Sequence, residues 1–272
     1  MADYKFSGVL LATDFDGTLR TGDGRVDNKD KCAIEYFIEN GGFFTVATGR
    51  ALAAFCDRFG TIPLSAPVIL SNGAVIYDHT TKKTVSETAI CMDNKEVFRQ
   101  LIANFPNTGF EIYKGSDGYI VSDHPLSREH FKIIGLEPNF EQLDKIDFPW
   151  TKVLLTGEFA DLEPAKHFLD NGYSDIFDYT FSCPYLLEIM AKGVNKGAGV
   201  LKLAELLGVE REHIYCAGDN YNDIDMLKIA RKGFAPENAE PEVKALAAKV
   251  VSSNDHGCIH DVIYYLDKMY QR

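Results

Sequence analysis

Two short stretches carry carboxylates at spacings that suit acid–base and metal chemistry. Asp14 and Asp16 stand one residue apart in Asp14-Phe15-Asp16-Gly17-Thr18, directly after the apolar run Val9 to Thr13. A pair so spaced can supply a metal-bound nucleophile and a general acid/base. Gly17 lets the backbone turn sharply and present amides to an anion. The same residues, taken alone, also suit a loop that is merely capped by Asp. Asp219 and Asp223 lie in Gly218-Asp219-Asn220-Tyr221-Asn222-Asp223, between a buried-strand pattern and a helix start. Such hard oxygen donors suit Mg²⁺, although Asp and Asn also favour plain helix caps. Lys196 opens a helix, where a cation opposes the macrodipole unless a bound anion is shared. Thr48 ends an apolar run beside Gly49 and can hydrogen-bond phosphate oxygens.

These groups need a scaffold that gathers them. Val9 to Thr13, Phe43 to Ala47 and Pro67 to Leu70 read as buried strands. Between them lie a helix capped by Asp27, with Ala33, Ile34, Phe37 and Ile38 on its apolar face, and a second running to about Phe59. Strand–helix alternation at this spacing predicts parallel βαβ units. After Asn72 come hairpin patterns and a capping-box spacing, Asp93 to Glu96, for a helix to about Phe105. Further strands follow near Lys152 to Leu155, Tyr179 to Phe181 and Leu186 to Met190, with a helix from about Leu162. Alternation resumes at the helix Lys196 to Leu207 and the strand His213 to Ala217. The expectation is an α/β protein: a Rossmann-like parallel-sheet core domain of residues 1–80 and 188–272, interrupted by an inserted α+β cap of residues 81–187. In such sheets the carboxyl ends of the strands collect functional groups. Here those ends read Asp14 to Thr18, Thr48-Gly49-Arg50, Ser71-Asn72-Gly73 and Gly218-Asp219.

The 272 residues carry 28 Lys plus Arg against 40 Asp plus Glu, a formal net charge of −12. That balance repels nucleic acid and anionic lipid, and makes a local cation cluster necessary for any phosphorylated substrate. Cys32, Cys56, Cys91, Cys183, Cys216 and Cys258 form no CxxC pair and are expected to be reduced, mostly buried thiols. Without a signal-peptide pattern or a long apolar run, a cytoplasmic protein with no membrane span is expected. Nothing in the pattern calls for an obligate protein partner.

Four motifs in order now carry a resemblance: DFDGTL at 14–19, Thr48-Gly49-Arg50, Asn195-Lys196-Gly197 and GDNYND at 218–223. Together they resemble the haloacid dehalogenase superfamily, and the large insert is similar to its subfamily IIB, Cof-type phosphatases. Ser71-Asn72-Gly73-Ala74, Leu187-Glu188-Ile189 and Ser253 to Gly257 share that likeness. The resemblance implies that Asp14 is the nucleophile, forming an aspartyl-phosphate, and that Asp16 is the general acid/base. It implies that Thr48 and Lys196 hold the phosphoryl oxygens. Mg²⁺ would be bound by the Asp14 side chain, the Asp16 carbonyl and Asp219, with Asp223 steadying its water shell. Asn222 would contact phosphate or substrate, while Gly49, Arg50, Asn72 and Gly73 border the substrate on the core side. One departure is Ala235-Pro236-Glu237-Asn238-Ala239, where the family usually has Met-Gly-Asn-Ala. The implied substrates are small phosphorylated metabolites such as sugar phosphates. A phosphomutase using the same Asp14, and a non-catalytic phosphate-binding module, are the competing readings. Among the cap residues, Tyr113, Tyr119, Phe131, Trp150 and Tyr185 serve either the cap's own core or a sugar-like leaving group.

Overall fold

The computed structural model describes residues 4–271. In chain order the elements begin with β1 (Leu10–Thr13), α1 (Asn28–Glu39), β2 (Phe43–Val46), β3 (Val68–Leu70), β4 (Val75–Asp78) and β5 (Lys83–Glu87). Next come α2 (Lys95–Asn104), β6 (Gly109–Lys114), β7 (Asp117–Ser122), α3 (Pro125–Ile134), β8 (Lys152–Thr156), α4 (Phe159–Gly172), β9 (Phe177–Cys183) and β10 (Leu186–Ala191). The chain closes with α5 (Lys196–Leu207), β11 (Ile214–Ala217), α6 (Ile224–Ile229), β12 (Lys232–Pro236), α7 (Pro241–Leu246), β13 (Lys249–Val251) and α8 (Cys258–Met269).

The chain divides into two units. The first holds the residues up to Thr48, Asp57–Val85, and everything from Asn195 on; the second holds Gly49–Cys56 and Ser86–Val194. These edges differ from the expected 80/81 and 187/188. β10 is hydrogen-bonded between β8 and β9, which carries residues 188–194 into the second unit. Gly49–Cys56, expected in the core, belongs to the second unit as well.

The first unit is an α/β fold built on a parallel sheet of order β13-β12-β11-β1-β2. Leu10 and Ala12 pack with Val200 and Leu203 of α5 and with Met226 and Val243. Strand alternation sends neighbouring residues to the opposite face: Ala235 joins the α5 side, whereas Phe234 meets Tyr265 of α8. Both faces are thus covered, as the unbroken burial of Leu10 to Thr13 requires. β1 leads to β2 on one side, and the chain returns later as β11 on the other. Asp14 and Asp219 follow β1 and β11, so they leave the sheet at this reversal, where α/β folds bind ligands. The third parallel strand is reduced to a single bridge, Ala47 to Ile69, because β3 pairs antiparallel with β4. Asp27 caps α1 as expected, accepting from the Lys29 amide.

The second unit is an antiparallel sheet, β7-β6-β8-β10-β9. One face, including Phe110, Ile112, Val153, Leu155, Leu187 and Ile189, packs on α2 and α4. The other presents Glu111, Tyr113, Lys152 and Glu188, all buried. Trp150, Tyr113 and Phe131 are fully buried core residues; only Tyr185 and Tyr119 retain exposure among the aromatics singled out above. The helix expected to run to Phe59 is replaced by two 3-10 turns, Leu52–Ala54 and Cys56–Arg58. α2 starts at Lys95 with no side-chain cap, so the Asp93–Glu96 capping box does not form. None of the six cysteines forms a disulfide; Cys216 and Cys258 are buried, but Cys32, Cys56 and Cys91 are exposed, contrary to expectation. Among the described residues no helix is long and apolar enough to cross a membrane.

Candidate active site

Asp14 begins where β1 ends. Its amide still belongs to the sheet, donating to the Ala217 carbonyl at 2.8 Å, while the residue as a whole is 5% exposed. The chain then turns back on itself: Leu19 N donates to Asp14 O and Arg20 N to Phe15 O. Gly17 makes this turn with φ of 88°, and a Cβ there would sit 2.4 Å from Asp219 Oδ2. The glycine is required twice, by its backbone and by the carboxylate pressed against it. Thr18 Oγ1 donates to Asp219 Oδ1 at 2.5 Å, fixing that carboxylate from the other side. Asp16, half-exposed, faces Arg20 Nη1 at 3.3 Å.

Lys196 arrives from the first turn of α5, whose N-cap Asn195 accepts from Ala198 N at 2.8 Å. The ammonium is fully buried and donates to Asp14 Oδ1 at 2.5 Å and Asp223 Oδ1 at 2.6 Å. The other Asp223 oxygen accepts from the amides of Asp219 and Asn220 at 2.8 and 2.9 Å. Asp223 therefore caps the turn after β11 with one oxygen and meets the Lys196 ammonium with the other. Ligand oxygens of Asp14, Asp219 and Asp223 lie within 4.8 Å of one another.

Three carboxylates cluster at an ammonium that bonds two of them, Asp14 and Asp223. Burial pushes Asp14 well above the usual carboxylate range; Lys196 pulls it back, and Asp223, Asp219 and Asp16 push it further up. Asp219 is pushed up to about 7, first by burial and then by Asp223, against the Thr18 hydroxyl and Lys196. Burial would lower Lys196, but the Asp14 and Asp223 carboxylates outweigh it and hold the ammonium above its ordinary value. The lysine therefore stays charged, and the surplus charge of the cluster is negative. The oxygens of Asp14, Asp219 and Asp223 are hard donors of the kind that suit a divalent cation. The residues fit Mg²⁺.

Thr48, 1% exposed, is held by its backbone: its amide donates to Ile69 O at 2.9 Å and its carbonyl accepts from Asn72 N at 3.0 Å. Ser71 and Asn72 have φ of 49° and 53°, two consecutive non-glycine residues in the left-handed region. Such strain persists where surrounding structure fixes it, often at functional sites. Asn222 Nδ2 donates to Asn72 Oδ1 at 3.1 Å, so these two predicted residues meet. Gly73 serves packing, because with φ of 98° any Cβ would lie 2.3 Å from Asn195 O. It lets this turn approach the start of α5. Gly49 and Arg50 belong to the second unit, not to the core side. There Gly49 O accepts from Lys152 Nζ, and buried Arg50 donates from Nη1 to Ala54 O at 3.2 Å.

Two further residues brace the loop after Asp14. Asn238 Nδ2 donates to Gly17 O at 2.7 Å, and its Oδ1 accepts from Asn254 N at 3.0 Å. Asn254 Nδ2 in turn holds Arg20 O at 2.9 Å. Glu240 N also reaches Asp219 O at 2.9 Å. The altered stretch Ala235 to Ala239 thus keeps its asparagine on the catalytic loop, while Pro236 ends β12.

A family model described as haloacid dehalogenase-like hydrolase matches residues 11–263. The phosphatase YwpJ of Bacillus subtilis is 27% identical over 284 residues, covering 92% of this chain and 97% of its own. The 5-amino-6-(5-phospho-D-ribitylamino)uracil phosphatase YcsE of the same organism is 27% identical over 251 residues, covering 90% of each. Among solved structures, a haloacid dehalogenase-like hydrolase from Bacteroides thetaiotaomicron superposes with a TM-score of 0.83 at 23% identity, covering 95% of this chain and 99% of that one. The subclass IIB sugar phosphatase BT4131 gives 0.82 at 19%, with the same coverage. These two likenesses establish the fold.

Proposed function

The chain belongs to the haloacid dehalogenase-like hydrolases and is a phosphoric monoester hydrolase, and on that footing we propose that it works with Mg²⁺ through an aspartyl-phosphate on Asp14. The observation that carries this reading is the buried Lys196 bridging Asp14 and Asp223 beside Asp219. Asp14 and Asp219 would hold the metal with the Asp16 carbonyl, and Asp223 would steady its water shell. When bound, the metal supplies charge neutralisation to the phosphoryl oxygens.

The Asp14 carboxylate attacks phosphorus, and the bond from phosphorus to the ester oxygen breaks. Asp16, half-exposed where Asp14 is buried, gives its proton to the departing alkoxide. It then takes a proton from the water that attacks the aspartyl-phosphate, releasing inorganic phosphate and restoring Asp14. Thr48 and Lys196 hold the phosphoryl oxygens, since such transfers depend on positioning and charge more than on elaborate covalent machinery. Asn72 and Asn222, already hydrogen-bonded to each other, offer amides to substrate or phosphate.

The substrate class is a small phosphorylated metabolite. The phosphoribitylaminouracil phosphatase activity in the name of one relative and the sugar phosphatase in that of a structural neighbour both support a polyhydroxylated leaving group. Phosphate release from a panel of such esters, with Mg²⁺ and with EDTA, tests the proposal. Release that needs the metal supports it. Release only when a sugar bisphosphate activator is present would favour the mutase reading, and metal-independent release would refute the metal's role.

A further inference from the structure

We infer that Lys152 and Glu188 are positioning residues for Thr48, a role that rests on the phosphatase reading above. Lys152 and Glu188 lie on the polar face of the second unit's sheet, with side chains 5% and 4% exposed. Their ion pair is 2.8 Å long, and the same ammonium donates to the Gly49 carbonyl at 2.7 Å. It also lies 5.1 Å from the centre of the Tyr113 ring.

A buried ion pair is a poor way to gain stability, because desolvation consumes most of the attraction. The opposite face of this sheet is filled by apolar side chains under α2 and α4, so an apolar pair would suit the sheet well. What the pair adds is a fixed donor for one backbone carbonyl. Burial acts to raise the Glu188 pKa, but Lys152 and Ser182 outweigh it and keep the carboxyl below its ordinary value. The anion therefore persists and holds the ammonium in place.

The carbonyl it grips belongs to the residue directly after Thr48. Thr48 is in the first unit and Gly49 in the second, so this peptide bond is one of the four at which the chain passes from one unit to the other. On the Thr48 side the backbone is pinned by Ile69 O and Asn72 N. On the Gly49 side it is pinned by Lys152, and Ala51 is seated in a cluster with Tyr113, Phe131 and Leu154. The backbone is thus hydrogen-bonded on both sides of the Thr48–Gly49 peptide, which fixes where the Thr48 side chain starts. Loss of the Lys152 clamp frees the following peptide, and a misplacement of order 1 Å at a positioning group costs about 100-fold in rate.

The test is a double-mutant cycle, with each variant's fold checked by circular dichroism and thermal melting. Lys152→Met together with Glu188→Leu removes the clamp without leaving a lone buried charge; Lys152→Gln with Glu188→Gln serves if the apolar pair does not fold. Each is made in the wild-type and the Thr48→Ala background, and kcat and KM are measured on p-nitrophenyl phosphate. The clamp variant is expected to lower kcat/KM about 10- to 100-fold with Thr48 present, and less than about 2-fold with Thr48→Ala, the non-additivity of coupled residues. Equal losses in both backgrounds, or none in either, would overturn the inference. If the wild type hydrolyses no ester, the phosphatase reading has failed, and the cycle is read on the Kd of inorganic phosphate. Coupling in that Kd sustains the clamp; additivity, or no phosphate binding at all, overturns it.

Discussion

Lys196→Met removes the ammonium that bridges Asp14 and Asp223 while keeping a side chain of similar length. Lys196 is fully buried, with partners at 2.5 and 2.6 Å. Breaking a buried ion pair by deleting one partner costs about 3–5 kcal/mol. The carboxylates left behind relieve part of this by taking up a proton, so the lower half of that range is expected. For a chain of this size 1 kcal/mol moves Tm by about 2–4 °C, which gives a fall of roughly 6–16 °C at neutral pH in EDTA. Differential scanning calorimetry reads it directly. Turnover of a phosphate monoester should also fall by about 100- to 1,000-fold, the usual cost of removing a group that stabilises transition-state charge. A variant that melts within 2 °C (about the effect of 1 kcal/mol or less) of the wild type would refute the reasoning, since it would mean that the carboxylate cluster does not depend on this ammonium.

Asp30 is buried in α1, with Oδ1 accepting from His260 N and Oδ2 without a partner. Its pKa is pushed up to about 6, chiefly by burial. The unfolded carboxyl ionises near pH 4, so stability falls as pH rises through the window from about 4 to about 6 and stays level above it. Asp30→Asn keeps the acceptor and should stabilise the fold by about 1–3 kcal/mol at pH 7.5 but hardly at pH 4; equal Tm values at pH 7.5 would contradict this. Gly17→Ala forces a Cβ against the Asp219 carboxylate and demands a left-handed backbone. Activity should drop at least about 100-fold by displacement of that ligand, and a rate within a few-fold of wild type would show that the loop adapts. Asn238→Ala frees the Gly17 carbonyl and the Asn254 amide. A loss of about 1–3 kcal/mol is expected in chemical denaturation, with kcat lowered more than KM is raised; an unchanged kcat would remove Asn238 from the support of the loop.

The central residues were legible because each stands immediately after a short apolar strand or opens a helix. Asp14 after β1 and Asp219 after β11 were singled out by the rule that parallel sheets collect groups at one edge, and Lys196 by a cation's unfavourable place at a helix start; their roles came from the resemblance. Asn238 and Asn254 carried no such signal as individual residues. Each reaches the loop through one side-chain bond, to Gly17 O and Arg20 O, more than 200 residues away in sequence. Helix α3 was missed although its ends are marked, with Pro125 at the first turn and Gly135 in the left-handed conformation. The helix expected to reach Phe59 failed for a tertiary reason. Ala51 is drawn into the second unit's core and the segment 49–56 folds with that unit, so favourable local propensity was overridden. The same packing removed Gly49 and Arg50 from the core side. β10 looks like the strand that returns to the parallel core, and only its hydrogen bonds to β8 and β9 assign it to the other sheet.

The central claim is that Asp14 carries the phosphoryl group. Rapid mixing of the enzyme and Mg²⁺ with a ³²P-labelled phosphate monoester, followed by acid quench and proteolysis, tests it most directly. The account predicts transient label on the peptide containing Asp14, and none in Asp14→Asn. Turnover with no trapped label in the wild type, or label retained in the Asp14→Asn protein, would contradict it.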